Sequence, residues 1–74
     1  MKITVLRYLA AATDATAAEV AEALGASMAA AGMSLLRLCR GGLVQRAFDP
    51  ERRCHYYSIT PRGAARLNFL ERGA

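Results

Sequence analysis

The sequence has no tryptophan, a single histidine and only two cysteines. With His55 as the lone imidazole, neither a Ser-His-Asp arrangement nor a histidine cluster can be assembled. Cys39 and Cys54 have no Cys-x-x-Cys spacing, and Cys54 and His55 are neighbours on a strand-like run, where adjacent side chains point to opposite faces. No metal site is therefore expected, and the thiols fit the reduced state of a cytoplasmic protein. Long apolar runs are also missing. The longest uncharged stretch, Ala23 to Leu36, has fourteen residues and is broken by Gly25, Ser27, Gly32 and Ser34, too short to span a bilayer. Arg7 interrupts the N-terminal apolar segment, which argues against a signal peptide. A phosphate-cradling glycine loop is absent, because Gly41-Gly42 follows a helical pattern and not a strand. An enzyme is not expected, nor is any cofactor.

What is present is a short, alanine-rich, arginine-rich chain. Its 74 residues make one domain, 1–74, with one small core, and 54% of them are apolar. Alanine favours helix but buries little area, so a monomer of this size is marginal and a second copy or another partner is expected. The net charge of +4 is unevenly spread. Residues 1–36 carry Lys2 and Arg7 against Asp14, Glu19 and Glu22, whereas eight arginines from Arg37 onward face only Asp49, Glu51 and Glu71. Nine of the ten positive charges are arginine, whose flat donor fork suits phosphates and base edges.

Periodicity predicts the elements. Ile3, Leu6, Leu9 and Ala10 form an amphipathic helical stripe, although Ile3-Thr4-Val5 locally favours a strand. Thr13-Asp14-Ala15 breaks it. Thr16 and Glu19 are spaced as a capping box for a second helix with a stripe of Ala17, Val20, Ala21 and Leu24, which Gly25 is placed to end. Ser27 caps a third helix with core positions Ala31, Leu35 and Leu38, stopped by Gly41-Gly42. Two strand-like runs follow, Leu43 to Phe48 and Cys54 to Ile59, joined by Asp49-Pro50-Glu51-Arg52-Arg53 as a hairpin with a charged tip. Tyr56 and Tyr57 alternate across the second run, so one packs inward. Thr60-Pro61 then opens a last helix carrying Ala64, Leu67 and Leu70.

The fold class is α+β: three helices, a two-stranded β-hairpin wing and a short C-terminal helix, the layout of a winged helix-turn-helix. Four segments make the likeness more specific: Thr16-Ala-Ala-Glu-Val-Ala-Glu-Ala-Leu-Gly25, Gly42-Leu-Val-Gln-Arg46, Asp49-Pro-Glu-Arg-Arg53 and Tyr57-Ser-Ile-Thr-Pro-Arg-Gly63. In this order and spacing, over roughly residues 3–70, the chain resembles the MarR and PadR type winged-helix transcription regulators. The resemblance implies double-stranded DNA as partner, with the third helix in the major groove and the wing on backbone or minor groove. It implies that Ser27, Ser34 and Arg37 line the groove-facing side and that Arg52 or Arg53 reaches the minor groove. An unopposed guanidinium at a wing tip also suits a narrow, electronegative groove on physical grounds alone. The plainer alternative is that both arginines neutralise Asp49 and Glu51 and keep the tip solvated.

Met33, Arg40 and Arg46 complete the candidate DNA-binding set. Regulators of this type usually carry polar base-readers where this chain has Ala29, Ala30, Gly32 and Met33. Ala29, Gly32, Met33, Leu36 and Cys39 build a second apolar stripe, away from the core stripe. It either meets thymine methyl groups, with Arg37 and DNA shape adding specificity, or packs on another protein chain. The flanking helices through which such regulators usually dimerise are not expected, so a homodimer would use the C-terminal helix (Leu67, Phe69, Leu70) or the Met33/Leu36 face. Cys39 stands near Arg37 and Arg40, which would lower its thiol pKa; the alternative is an unreactive, half-buried thiol.

Overall fold

A computed structural model describes residues 2–73. Its elements are α1 (Lys2–Ala12), α2 (Ala17–Leu24), α3 (Met28–Arg40), β1 (Val44–Asp49), β2 (Cys54–Ile59) and α4 (Pro61–Gly73). The order matches the reading of the sequence, and the first strand begins at Val44, one residue later than expected. β1 and β2 pair antiparallel, from Val44 opposite Ile59 to Asp49 opposite Cys54.

One apolar cluster holds the domain together: Val5, Leu6 and Leu9 of α1, Val20 and Ala21 of α2, Ala31, Leu35 and Leu38 of α3, with Ala15, Val44 and Leu67. The core stripes predicted for α2 and α3 are in place. In α1 the stripe is wider than expected and turned: Val5 is fully buried while Ala10 is exposed. α1 lies at the centre, touched by all three other helices and by β2, so tertiary burial overrides the local strand preference of Ile3-Thr4-Val5. An exposed ion pair, Arg7 Nε to Glu71 Oε2 at 2.9 Å, joins α1 to α4 and contributes less than ~1 kcal/mol.

The break after α1 is more than a break. Thr13 takes a left-handed conformation at φ 72°, costly for a β-branched residue, and turns the chain back. Ala15 then pairs with Tyr57: its N–H donates to Tyr57 O at 2.9 Å, and Tyr57 N–H donates to Ala15 O at 2.7 Å. A stub of third strand thus ties the helical half to the wing.

α4 also departs from expectation. Gly63 and Leu67 are buried and Leu70 is half-buried, while Ala64 is exposed, so the inward stripe starts one residue earlier. Thr60 locks the start of this helix, its Oγ1 accepting from Gly63 N–H at 3.0 Å and donating to Gly42 O at 2.7 Å. Gly32, by contrast, sits in mid-α3 with nothing within 4 Å of where a Cβ would stand. Gly32→Ala should therefore raise stability by roughly 0.5–1 kcal/mol in urea unfolding, through helix propensity alone.

Candidate nucleic-acid interface

Local chemistry builds the helix-turn-helix. Thr16 Oγ1 accepts from Glu19 N–H at 3.2 Å and Glu19 Oε1 accepts from Thr16 N–H at 2.8 Å, the reciprocal capping box that starts α2. Gly25, at φ 63°, ends it in the left-handed region that glycine enters without strain. Two residues later Ser27 Oγ accepts from Ala30 N–H at 3.1 Å and starts α3. The hydroxyl of Ser27 thus serves the backbone of its own helix.

Burying Ala31, Leu35 and Leu38 turns the opposite face of α3 outward. Ala29, Met33, Leu36 and Arg40 follow one another there at steps of four, three and four residues, with Ala30 and Arg37 beside them, and all six are exposed. Met33 retains 52% of its accessible surface and Leu36 37%, high values for large apolar side chains. Ser34 is half-buried on the flank, where it lines a cleft of about 270 Å³ with Lys2, Arg37 and Leu38. Cys39 does not belong to the exposed stripe, because it packs against the core. Burial pushes its thiol pKa up and only Arg46, on β1, pulls the other way. The lowering expected from Arg37 and Arg40 does not occur, since both lie on the exposed face and Cys39 on the inner one.

The wing is shaped by its turn. Asp49 Oδ1 accepts from Glu51 N–H at 3.0 Å and Arg52 N–H at 3.4 Å, an Asx turn, and Arg53 closes it at φ 54°. Arg52 folds back along the hairpin: its Nη1 donates to the Tyr56 hydroxyl, its Nε lies 4.0 Å from Asp49 Oδ2 and its guanidinium stands 5.8 Å from the Tyr56 ring centroid. The hydrogen bond with Tyr56, and then the charges of Tyr56 and Asp49, push the Arg52 pKa further up, so its charge is permanent at any working pH. Arg53 has no ion pair among the described residues. Tyr57 packs inward and Tyr56 outward, as alternation requires. Beyond them Phe48 and His55 meet edge to face across the strands at 5.1 Å.

The wing lies beside the helix-turn-helix. Thr16, Ala17, Ala18 and Met28 line one cleft together with Cys54, His55 and Tyr57 of β2. Arg37, Arg40, Arg46 and Arg53 form no ion pair among the described residues, so α3 and the wing each present exposed guanidiniums without a carboxylate partner. Sequence reasoning missed three further cations. Lys2, Arg62 and Arg66 line a cleft of about 450 Å³ with Leu43 and Phe69, and Arg66 stands 5.8 Å from the Phe69 ring centroid. Their convergence depends on α1 packing against α4, for which spacing along the chain carries no signal. On α4, Phe69 is 62% exposed but Leu67 is only 7% exposed, which removes Leu67 from the interface expected there.

No protein-family model matches the sequence, and no curated protein is matched by it. Solved structures do match. YusO from Bacillus subtilis superimposes with a TM-score of 0.92 over 97% of this chain and 52% of its own, at 23% identity, a likeness of fold alone. Apo MarR from E. coli gives 0.89 over 96% of this chain and 53% of its own, at 26% identity. A mutant MarR from E. coli complexed with operator DNA gives 0.87 over 96% and 51%, again at 26% identity. The chain spans about half the length of these structures. Agreement of this quality over nearly every residue shows that the chain has the winged helix-turn-helix fold of these MarR structures.

Proposed function

We propose that this chain is the DNA-contacting module of a transcription regulator, with α3 in the major groove and the wing on backbone or minor groove. The observation that carries the reading is the outward face of α3, exposed and carrying Arg37 and Arg40, with Arg46 and Arg53 exposed on the wing, none of which has an ion pair among the described residues. Unpaired guanidiniums on an exposed helix face and on the wing fit a polyanion with a groove wide enough for a helix. The likeness to a MarR bound to operator DNA supports it. In this reading Ser27 positions α3, Met33 and Arg37 meet base edges, and Ser34 and Arg40 lie towards the phosphates. Arg53 projects from the wing while Arg52 is braced by Tyr56. A second copy of the chain completes a two-fold site, with Phe69 as the exposed apolar group on α4.

Titration of duplex DNA across a salt series tests the proposal. Affinity should fall steeply with salt, and replacing Arg52 and Arg53 together, as Arg52→Gln and Arg53→Asn, should lower the log-log slope by about two units. Asparagine tolerates the left-handed backbone at position 53, so the turn survives. The loss should be similar for all sequences, because wing contacts reach phosphates or a degenerate groove. An unchanged slope removes the wing from the interface, and a wild type that binds no duplex at low salt removes the function.

A further inference from the structure

The outward face of α3 is poor in hydrogen-bonding groups where a recognition helix reads bases. Its N-terminal half presents Ala29, Ala30 and Met33, with Leu36 next in line, and the nearby Ser27 hydroxyl is bonded to the Ala30 amide. Arginines enter only in the last turns, at Arg37 and Arg40. A base edge pressed against methionine or alanine loses water from its donors and acceptors and gains nothing in return. Thymine differs, because its C5-methyl is the one apolar group that a base pair shows in the major groove. Guanine or cytosine beneath the same side chains leaves polar groups desolvated and unpaired.

We infer that the site read by this helix is rich in thymine, and that Met33 reads it through C5-methyl contact. The inference rests on the DNA-binding reading above and names the chemistry of its half-site. Arg37 and Arg40, exposed on the same helix and without ion pairs among the described residues, favour this occupant over a protein partner, because a polyanion matches them and an ordinary apolar patch does not. Selectivity then comes mainly from exclusion: G·C pairs are rejected under Met33, while Arg37 meets a base edge further along the helix and Arg40 holds the helix on the phosphates.

The experiment starts from a random duplex pool enriched on the full chain, followed by deoxyuridine in place of each thymidine of the enriched site. This removes one methyl and leaves pairing and charge intact. At one or more positions affinity should fall about fourfold per methyl, the worth of one buried methyl group. In Met33→Ala the same replacement should have no effect at those positions, closing a double-mutant cycle. Enrichment of G·C-rich sites, or deoxyuridine duplexes that bind as tightly as their parents with the salt slope intact, overturns the inference and leaves the DNA-binding reading standing. A deoxyuridine effect that persists in Met33→Ala overturns the assignment to Met33. Failure to bind any duplex at low salt overturns both, and a fall in oligomer mass on Met33→Ala then assigns the face to protein contact.

Discussion

Gly63→Ala is expected to remove most of the domain's stability at room temperature. A Cβ at this position would stand 1.9 Å from the carbonyl oxygen of Leu43, 2.9 Å from its carbonyl carbon and 2.8 Å from Ile59 Cγ1. Two of those atoms are backbone, and neither can swing aside. Leu43 O also accepts the Thr60 N–H at 3.1 Å, so relief by moving either segment breaks that bond and the Thr60 bridge to Gly42. Overpacking costs about 1–3 kcal/mol where side chains can adjust and more where they cannot. A core this small supplies only about 3–5 kcal/mol of net stability, so the loss consumes most of it. Circular dichroism during urea unfolding measures the effect. Ala64→Gly is the control: it removes an exposed Cβ one residue along and should cost about 1 kcal/mol through helix propensity alone. Equal losses in the two variants would show that α4 does not approach Leu43 as closely as the structure has it.

Replacing both Met33 and Leu36 with glutamate is expected to abolish duplex binding while the fold persists. Both side chains are substantially exposed, so the folded state should change by no more than about 0.5 kcal/mol each. At the groove, two carboxylates would face phosphates at short range. Even at an effective dielectric of 20, each such repulsion reaches a few kcal/mol, so affinity should fall about a hundredfold or more. Light scattering should return the wild-type mass. If the face instead packs on another copy or another protein, the same variant dissociates that assembly, because buried carboxylates without partners are strongly disfavoured. A variant that keeps both mass and affinity would mean that neither partner uses this face.

How legible the molecule was in its sequence depended on the distance over which each interaction closes. The capping box at Thr16 and Glu19, the glycine end of α2 at Gly25, the serine cap at Ser27 and the hairpin turn that Asp49 opens all join groups within a few residues, and all are where spacing put them. The stripes of α2 and α3 were equally readable, since each helix has one buried side. From these the winged helix follows, and so does the exposure of Met33 and Leu36 opposite Leu35 and Leu38. Chain spacing alone left three matters undecided. Val5 is buried and Ala10 is not, because neighbours crowd α1 from several sides and its own periodicity records only one. The Ala15–Tyr57 pairing joins backbones 42 residues apart through groups that every residue possesses. Gly63, and not Ala64, faces inward because the backbone of Leu43 arrives there, which also draws Leu67 away from any partner. Side-chain chemistry and period are local properties and were set by the residues themselves; which backbone comes close to which is decided only when the chain packs.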